Sequence, residues 1–378
     1  MIIWFAYLIP ILTALALAAF WARKMAWWEW AVLMLVPTII IVVVAHASKA
    51  DQVKAIEYYG GYVTDASYDE PWNEWIVKEC SNTSCTGSGK DERCTTTYYD
   101  CSYCDEHGPS WNYSTSIGEG ADAQEVYNTA VATFRNKKFV NLRRSSKCSN
   151  PVNGNRWTVK FPGDSAHLLP YFKTHRYENR VQAAPTLFSF LRIDTSKTRV
   201  FKYPNDDEGL NHSSVLADKP FPNQGKASDL LSWYNAEYGA AFQVHAWLIV
   251  FHDRSRQAGL DQEAYWKGGG KNELVTTVGL DRDQKVKWCY VFSWSPKKGP
   301  SIVIRDSIMS MGVFDGMKAV ELIGQQGVKK FRRKHFKDFA YISIEPTNGA
   351  VVLAFVLTTL FCVSWGFFSI RNDVDADS

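Results

Sequence analysis

The chain lacks the short signatures that announce common catalysis: it has no HExxH helix, no GxSxG elbow and no GxxxxGK[ST] phosphate loop. The nearest approach to the last is Gly268-Gly269-Gly270-Lys271-Asn272, where Asn replaces the Ser or Thr that must reach magnesium. A strand-like run follows it instead of a helix, so it predicts a turn whose glycines take positive φ. Asp164-Ser165 and His167 stand in no elbow, and His175, His245 and His252 are scattered, so no catalytic residue is assigned. A dominant sign of charge is missing too. The 42 Lys+Arg against 39 Asp+Glu leave a formal net charge of +3, which gives no global pull toward nucleic acid. With 46% hydrophobic and 21% charged residues, the composition excludes a disordered tail protein. Mean hydropathy is −0.22, too low for a polytopic carrier. The apolar weight must sit in a few segments.

Three such segments are present. Residues 2–21 contain no charge and, at 1.5 Å per residue, reach about 30 Å, the thickness of a bilayer's hydrocarbon. Residues 30–45 form a second run flanked by Trp27 and Trp28 as interfacial anchors, and 350–370 form a third. No basic region precedes the first run, and Arg23-Lys24 lie after it, so it does not read as a cleaved signal. The first two runs predict a helical hairpin with a tight turn over 22–26. That turn carries Arg23 and Lys24 and no acid, which places it in the cytoplasm. The N-terminus and the long polar region then lie outside, and the acidic tail returns to the cytoplasm. Ala14, Ala16, Ala18 and Ala19 permit close helix packing and self-association. No span carries an internal ionisable residue, which disfavours a channel.

Seven of the eight cysteines lie in the polar region, five of them crowded: Cys80, Cys85, Cys94, Cys101 and Cys104. Two arrangements fit. Disulfides would staple a Ser/Thr/Gly-rich loop that has almost no core of its own, as an oxidising compartment allows. Alternatively Cys101 and Cys104, with His107 and either Cys80 or Cys94, would complete a tetrahedral Zn2+ site. An odd total leaves one thiol free, and Cys289 in an apolar strand is the expected one.

Residues 57–80 alternate aromatic and β-branched side chains, broken by Gly60-Gly61, and predict a strand with its antiparallel partner at 95–103. A short helix is expected at 124–134 and strands at 138–144, 155–161 and 187–193. The second half changes rhythm: a helix at 227–238 capped by Gly239, a strand at 242–251 buried on both faces, and a helix at 260–267. Paired strands follow at 273–280 and 285–294, then a strand at 301–306, a long helix at 315–335 and a last strand at 341–345. The expected organisation is a membrane-anchored α+β chain: a transmembrane hairpin (1–46), a β-rich Cys-containing region (47–205), an α/β sandwich (206–347), and a C-terminal span with its tail (348–378).

Within 210–340, the order helix, strand ending in His252-Asp253, Glu263-Ala264-Tyr265-Trp266-Lys267 with its Gly-rich turn, Lys271-Asn272-Glu273-Leu274-Val275 and Asp281-Arg282-Asp283 resembles TPM domains. These are α/β sandwich modules, commonly tethered to a membrane and facing away from the cytoplasm. The resemblance implies phosphatase or metal-binding chemistry. In TPM domains the following strand runs into a glycine-rich segment, whereas here Trp288, Cys289, Tyr290 and Trp294 occupy that stretch. Tyr59-Gly60-Gly61-Tyr62-Val63, Asp100-Cys101-Ser102-Tyr103, Glu178-Asn179-Arg180-Val181-Gln182, Phe292-Ser293-Trp294 and the basic end at 331–339 are similar to an uncharacterised family of membrane proteins from bacteria and large tailed phages. That family implies the same topology and no activity.

Two clusters carry the functional expectations. Lys330, Arg333, Lys334 and Lys337 would share one face of a helix close to the third span, as a solvated face or as a contact for anionic lipid or an acidic partner. Asp253, Asp281 and Asp283 would hold Ca2+ if the strands bring them together; an Asp-rich hairpin turn is the plainer explanation. No resident cofactor and no nucleic acid are expected. The reading is a non-enzymatic, self-associating binding protein outside the cytoplasm, with a membrane-bound TPM-type phosphatase or other hydrolase as the alternative.

Overall fold

The computed structural model describes residues 2–21, 27–87, 92–118, 123–135, 137–141, 147–162, 168–184, 193–195, 198–204, 209–210 and 212–372. The turn with Arg23 and Lys24, most of the strand expected at 187–193, Asp164, Ser165, His167 and the acidic tail lie outside the described residues.

The first apolar run winds as a 3-10 helix over Ile2–Tyr7 and then as α1 (Leu8–Trp21). Pro10 cannot donate to the Ala6 carbonyl and crowds it, which favours the tighter winding before it. α2 (Trp27–Val53) is longer than its apolar run and passes without a loop into β1 (Lys54–Asp69).

β1 is the spine of the first half. Its early residues pair antiparallel with β9 (Pro170–Glu178), from Lys54↔Glu178 to Tyr62↔Pro170. Beyond an irregularity at Val63/Asp65, it pairs with β6 (Ser110–Thr115) and with β8 (Asn155–Val159), which in turn pairs with β7 (Lys137–Asn141). α3 (Ala123–Phe134) packs Val126, Tyr127 and Ala130 beneath this sheet, against Val63, Ala66 and Tyr171. A long two-part hairpin leaves it: β2 (Trp72–Ile76) pairs with β5 (Tyr103–His107), and β3 (Glu79–Thr86) pairs with β4 (Arg93–Asp100). The segment at 95–103 therefore partners β3 and, at Tyr103, β2, while β1 itself pairs elsewhere.

The second half is a four-stranded sheet ordered β10 (Val215–Ala217), β11 (His245–His252), β12 (Glu273–Leu280) and β13 (Val286–Phe292). The first three strands are parallel and the last antiparallel. β11 and β12 are buried along their whole length, as their continuous apolar runs require. On one face Ala246, Leu248 and Val250 meet α4 (Gln224–Phe242), α6 (Gly299–Met309) and α7 (Gly316–Leu322). On the other, Trp247, Ile249, Phe251 and Val275 meet Ala258 of α5 (Gln257–Tyr265), Trp288 and, from the first half, Tyr58 of β1. The two halves thus share a core.

Several expectations need correction. α4 runs past Gly239 to Phe242 and is capped by the left-handed Gln243, because Gly239 serves a close approach: a Cβ there would lie 3.3 Å from the Gly60 carbonyl. Residues 301–306 belong to α6, whose Ile304 and Ile308 face the core at helical spacing behind Pro300. The long helix at 315–335 stops at Leu322, continues as a wide turn over Ile323–Gly327 and a 3-10 turn over Val328–Lys330, and is extended at Phe331. Gly324 and Gly327 press against Tyr234 and Leu274, where a Cβ would come within 2.4 and 2.3 Å. Residues 341–345 form no strand.

α8 (Asn348–Asn372) closes the chain against α1 and α2, with Ile3, Ala6, Ile41, Ala45 and Ala354 at one level and Leu17, Leu33 and Cys362 at another. α1 and α8 therefore run together and α2 runs against them. Among the described residues, two helices are long and apolar enough to cross a membrane, Trp27–Val53 and Asn348–Ser369. The first run forms a shorter helix, although its 3-10 and α segments together still extend about 33 Å. α2 also carries a buried acid, Glu29, in its first turn beside the tryptophans.

Candidate functional site

The cysteines settle into three bonds. Cys80–Cys101 and Cys85–Cys94 clip β3 to β4, and Cys104–Cys148 ties β5 to the segment before β8. Two bonds fall within the five-cysteine group. The third recruits Cys148 from 44 residues away, a separation at which sequence spacing carries no signal. Cys289 is free and buried, and that burial pushes its thiol up to about 12. The Zn2+ grouping of Cys101, Cys104 and His107 is not assembled, because both thiols are bonded. His107 stacks on Trp72 at 3.8 Å and approaches Glu74 at 3.2 Å and Asp105 at 3.5 Å. β3 and β4 bury almost nothing on either face, and Tyr98 and Tyr99 stand 67% and 55% exposed. Cross-links and the ladder hold this hairpin, not a core.

The basic segment is dispersed. Because the helix has ended, Lys330, Arg333, Lys334 and Lys337 share no helical face. Lys330 reaches Gln326 at 2.5 Å and Lys334 reaches Asp338 at 2.6 Å. Arg333 turns inward to Glu57, donating at 2.6 Å. The Glu57 side chain is fully buried, and its Oε1 also draws Lys271 at 3.3 Å, His175 at 3.0 Å and the Tyr59 hydroxyl at 2.9 Å. Burial, reinforced by the Glu57 charge, pushes the Tyr59 phenol up to about 12. Burial lowers the Lys271 ammonium pKa against the pull of Glu57. Lys271 is thus a counter-ion inside the fold, with its Nζ 4.0 Å from the centre of the Tyr177 ring. The turn before it is as expected: Gly268 and Gly269 have φ of 82° and 79°. Gly270 donates to the buried Glu273, whose carboxyl is raised by burial.

Beside this network the surface opens. A cavity of about 1060 Å³ lies where α2 becomes β1, between Lys49, Val53, Ile56, Arg176, Arg180 and Ile342. A neighbouring cleft of about 420 Å³ shares Tyr177, Glu178 and Arg180 with it and reaches Lys334 and Lys337. The basic residues therefore do gather at one end of the body, but the set is drawn from α2, β1, β9 and the basic segment together. Only the last was conspicuous as a charge run.

At the carboxyl ends of the parallel strands, the three candidate aspartates do not form one ligand set among the described residues. Asp253 has φ of 53° and lies 3.5 Å from Lys219 and 3.9 Å from Arg282. Asp281 closes its turn, accepting the Lys285 and Asp283 amides at 2.8 and 3.0 Å, and the first of these contacts does most to hold its carboxyl below the usual range. A pair missed in the sequence lies between β10 and β11. Asp218 accepts from the His252 amide at 3.0 Å and meets its Nδ1 at 2.9 Å, while the buried Nε2 has no partner among the described residues. The connection through α4 leaves β10 on one face of the sheet and that through α5 leaves β11 on the other. The strand order itself is sequential, so the two connections only diverge at neighbouring strand ends. The sequence signal was positional: both residues sit at the carboxyl end of a strand.

Comparison with known proteins gives no match: no family model, no curated protein and no solved structure is similar to this chain.

Proposed function

We propose that the protein is a membrane-anchored, non-enzymatic binding and assembly protein, with its body outside the cytoplasm. The observation that carries this reading is the stapled hairpin β3–β4. Strands with no buried face gain little from folding and are costly to order, yet two disulfides hold this pair in shape with exposed tyrosines. Exposed aromatics on a rigid frame suit a contact surface. Disulfides of this density suit an oxidising compartment. α2 and α8 act as spans with α1 as a third, and Arg23-Lys24 hold the turn inside. Ala16 and Ala18 of α1 stay exposed, so a second copy can approach there. A photo-cross-linker at Tyr98 in native membranes should trap a discrete partner or a second copy. Uniform failure at Tyr98, Tyr99 and Tyr103 would reject the hairpin as the contact.

One observation favours the alternative, a membrane-bound hydrolase of TPM type: the Asp218–His252 pair at the carboxyl ends of β10 and β11. On that reading the full chain hydrolyses a generic phosphomonoester, with or without added Ca2+ or Zn2+, and Asp218→Asn abolishes it. Absence of turnover leaves the binding reading standing.

A further inference from the structure

We propose that the cavity at the junction of α2 and β1 binds the headgroup of an anionic phospholipid. The inference rests on the membrane-anchored reading and deepens it. The two long apolar helices set the level. At one end, Trp28 of α2 and Trp365 of α8 pack edge to face with centroids 6.1 Å apart. At the other, the Thr347 amide, one residue before α8, donates to the Ser48 hydroxyl of α2 at 3.0 Å. The helix between Trp28 and Ser48 extends about 30 Å, the hydrocarbon thickness. The cavity straddles that end of the stretch, with His46 just before Ser48 and Lys49, Val53, Lys54 and Ile342 beyond it. It therefore sits in the headgroup layer.

Its chemistry fits that layer. Lys49 and Arg176 carry no ion pair among the described residues, and both line the cavity. Arg180 is fixed on the wall, held by Glu178 at 2.6 Å and by the Ala340 carbonyl at 2.6 Å. Ile56 and Ile344 supply an apolar side for the glycerol and upper acyl carbons. Unpaired cations next to an apolar wall, opening at membrane depth, match a phosphodiester above two chains. The basic segment plays a lesser part, since Arg333 is committed to Glu57 and Lys334 to Asp338.

The full chain in nanodiscs containing equal phosphatidylglycerol and phosphatidylcholine provides the test, read as lipid retained by native mass spectrometry. Selective retention of phosphatidylglycerol is expected. Lys49→Gln with Arg176→Gln should weaken it by on the order of thirtyfold, taking about 1 kcal/mol per cation. Lys49→Arg with Arg176→Lys should restore it, and Lys330→Gln, outside the cavity, should leave it unchanged. Equal retention of both lipids, or selectivity that survives the double Gln substitution, overturns the proposal. Displacement of the lipid by millimolar free glycerol phosphate also overturns it, since the site would then serve a soluble phosphate ester. Carbonate washing separates the two layers of the argument: release of the protein from membranes removes the anchoring reading and this one with it, whereas retention without lipid selectivity removes this one alone.

Discussion

Glu57 is where side chains from three distant segments meet: His175 from β9, Lys271 from the glycine turn and Arg333 from the basic segment. A buried carboxylate without its cations is costly, and cations without the carboxylate are equally exposed to that cost. Glu57→Gln should therefore lower the unfolding free energy of the detergent-solubilised chain by about 3–5 kcal/mol. A loss under 1 kcal/mol would show that Lys271 and Arg333 find water instead. None of this was legible in sequence, where Glu57 was one acid in a strand and Arg333 one of several bases; pairing across such separations has no local signal. His245 gives a second residue-scale expectation. Burial, with His212 nearby, holds its imidazole neutral well below its usual range in the fold. The unfolded chain protonates near pH 6.5, so below that pH it binds more protons than the fold. Stability is then full above about 6.5 and falls as the pH drops, by up to about 1.4 kcal/mol per unit. Melting temperatures between pH 7 and 5 should show the loss, and His245→Gln should reduce it. An unchanged slope would assign the acid sensitivity to other groups.

Among the elements, the disulfides divide by what they hold. Cys104–Cys148 closes a long loop between the hairpin base and the β-rich sheet, and its removal by Cys104→Ala with Cys148→Ala should cost about 4 kcal/mol of body stability. Removal of Cys85–Cys94 should leave the melting of the body unchanged while making the hairpin tip sensitive to proteases, since β3 and β4 are exposed along almost their whole length. Equal losses from the two would mean that the tip folds with the body. Gly60 is the other critical point: a Cβ there would lie 2.1 Å from the Asn235 carbonyl of α4, so Gly60→Ala should cost about 1–3 kcal/mol and loosen the contact between the halves. The elements readable in advance were those with one strong local pattern, such as β11, β12, α3 and α4. Misread elements had ambiguous patterns. The β-branched run Ile302-Val303-Ile304 resembles a strand but lies in α6. The basic run beyond Gly327 carried helical spacing, but glycines pressed against Tyr234 and Leu274 unwind the helix first.

For the whole molecule, the sequence pattern located the polar body between apolar segments but could not show that its halves share a core through Tyr58. That contact joins the halves into one packed body, which α2 and α8 meet on the same side, with the basic cavity where α2 becomes β1. The site was partly legible for the same reason: Lys and Arg cluster visibly in a chain only when they are neighbours in it, and Lys49, Arg176 and Arg180 are not. The proposed topology has this body facing away from the cytoplasm. Lys226 is exposed on α4 and the native free thiols, Cys289 and Cys362, are buried. The direct test is labelling of Lys226→Cys by a membrane-impermeant maleimide in intact cells, with any outer membrane permeabilised. Reaction before lysis of the inner or plasma membrane is the result expected here; reaction only after that lysis would contradict it.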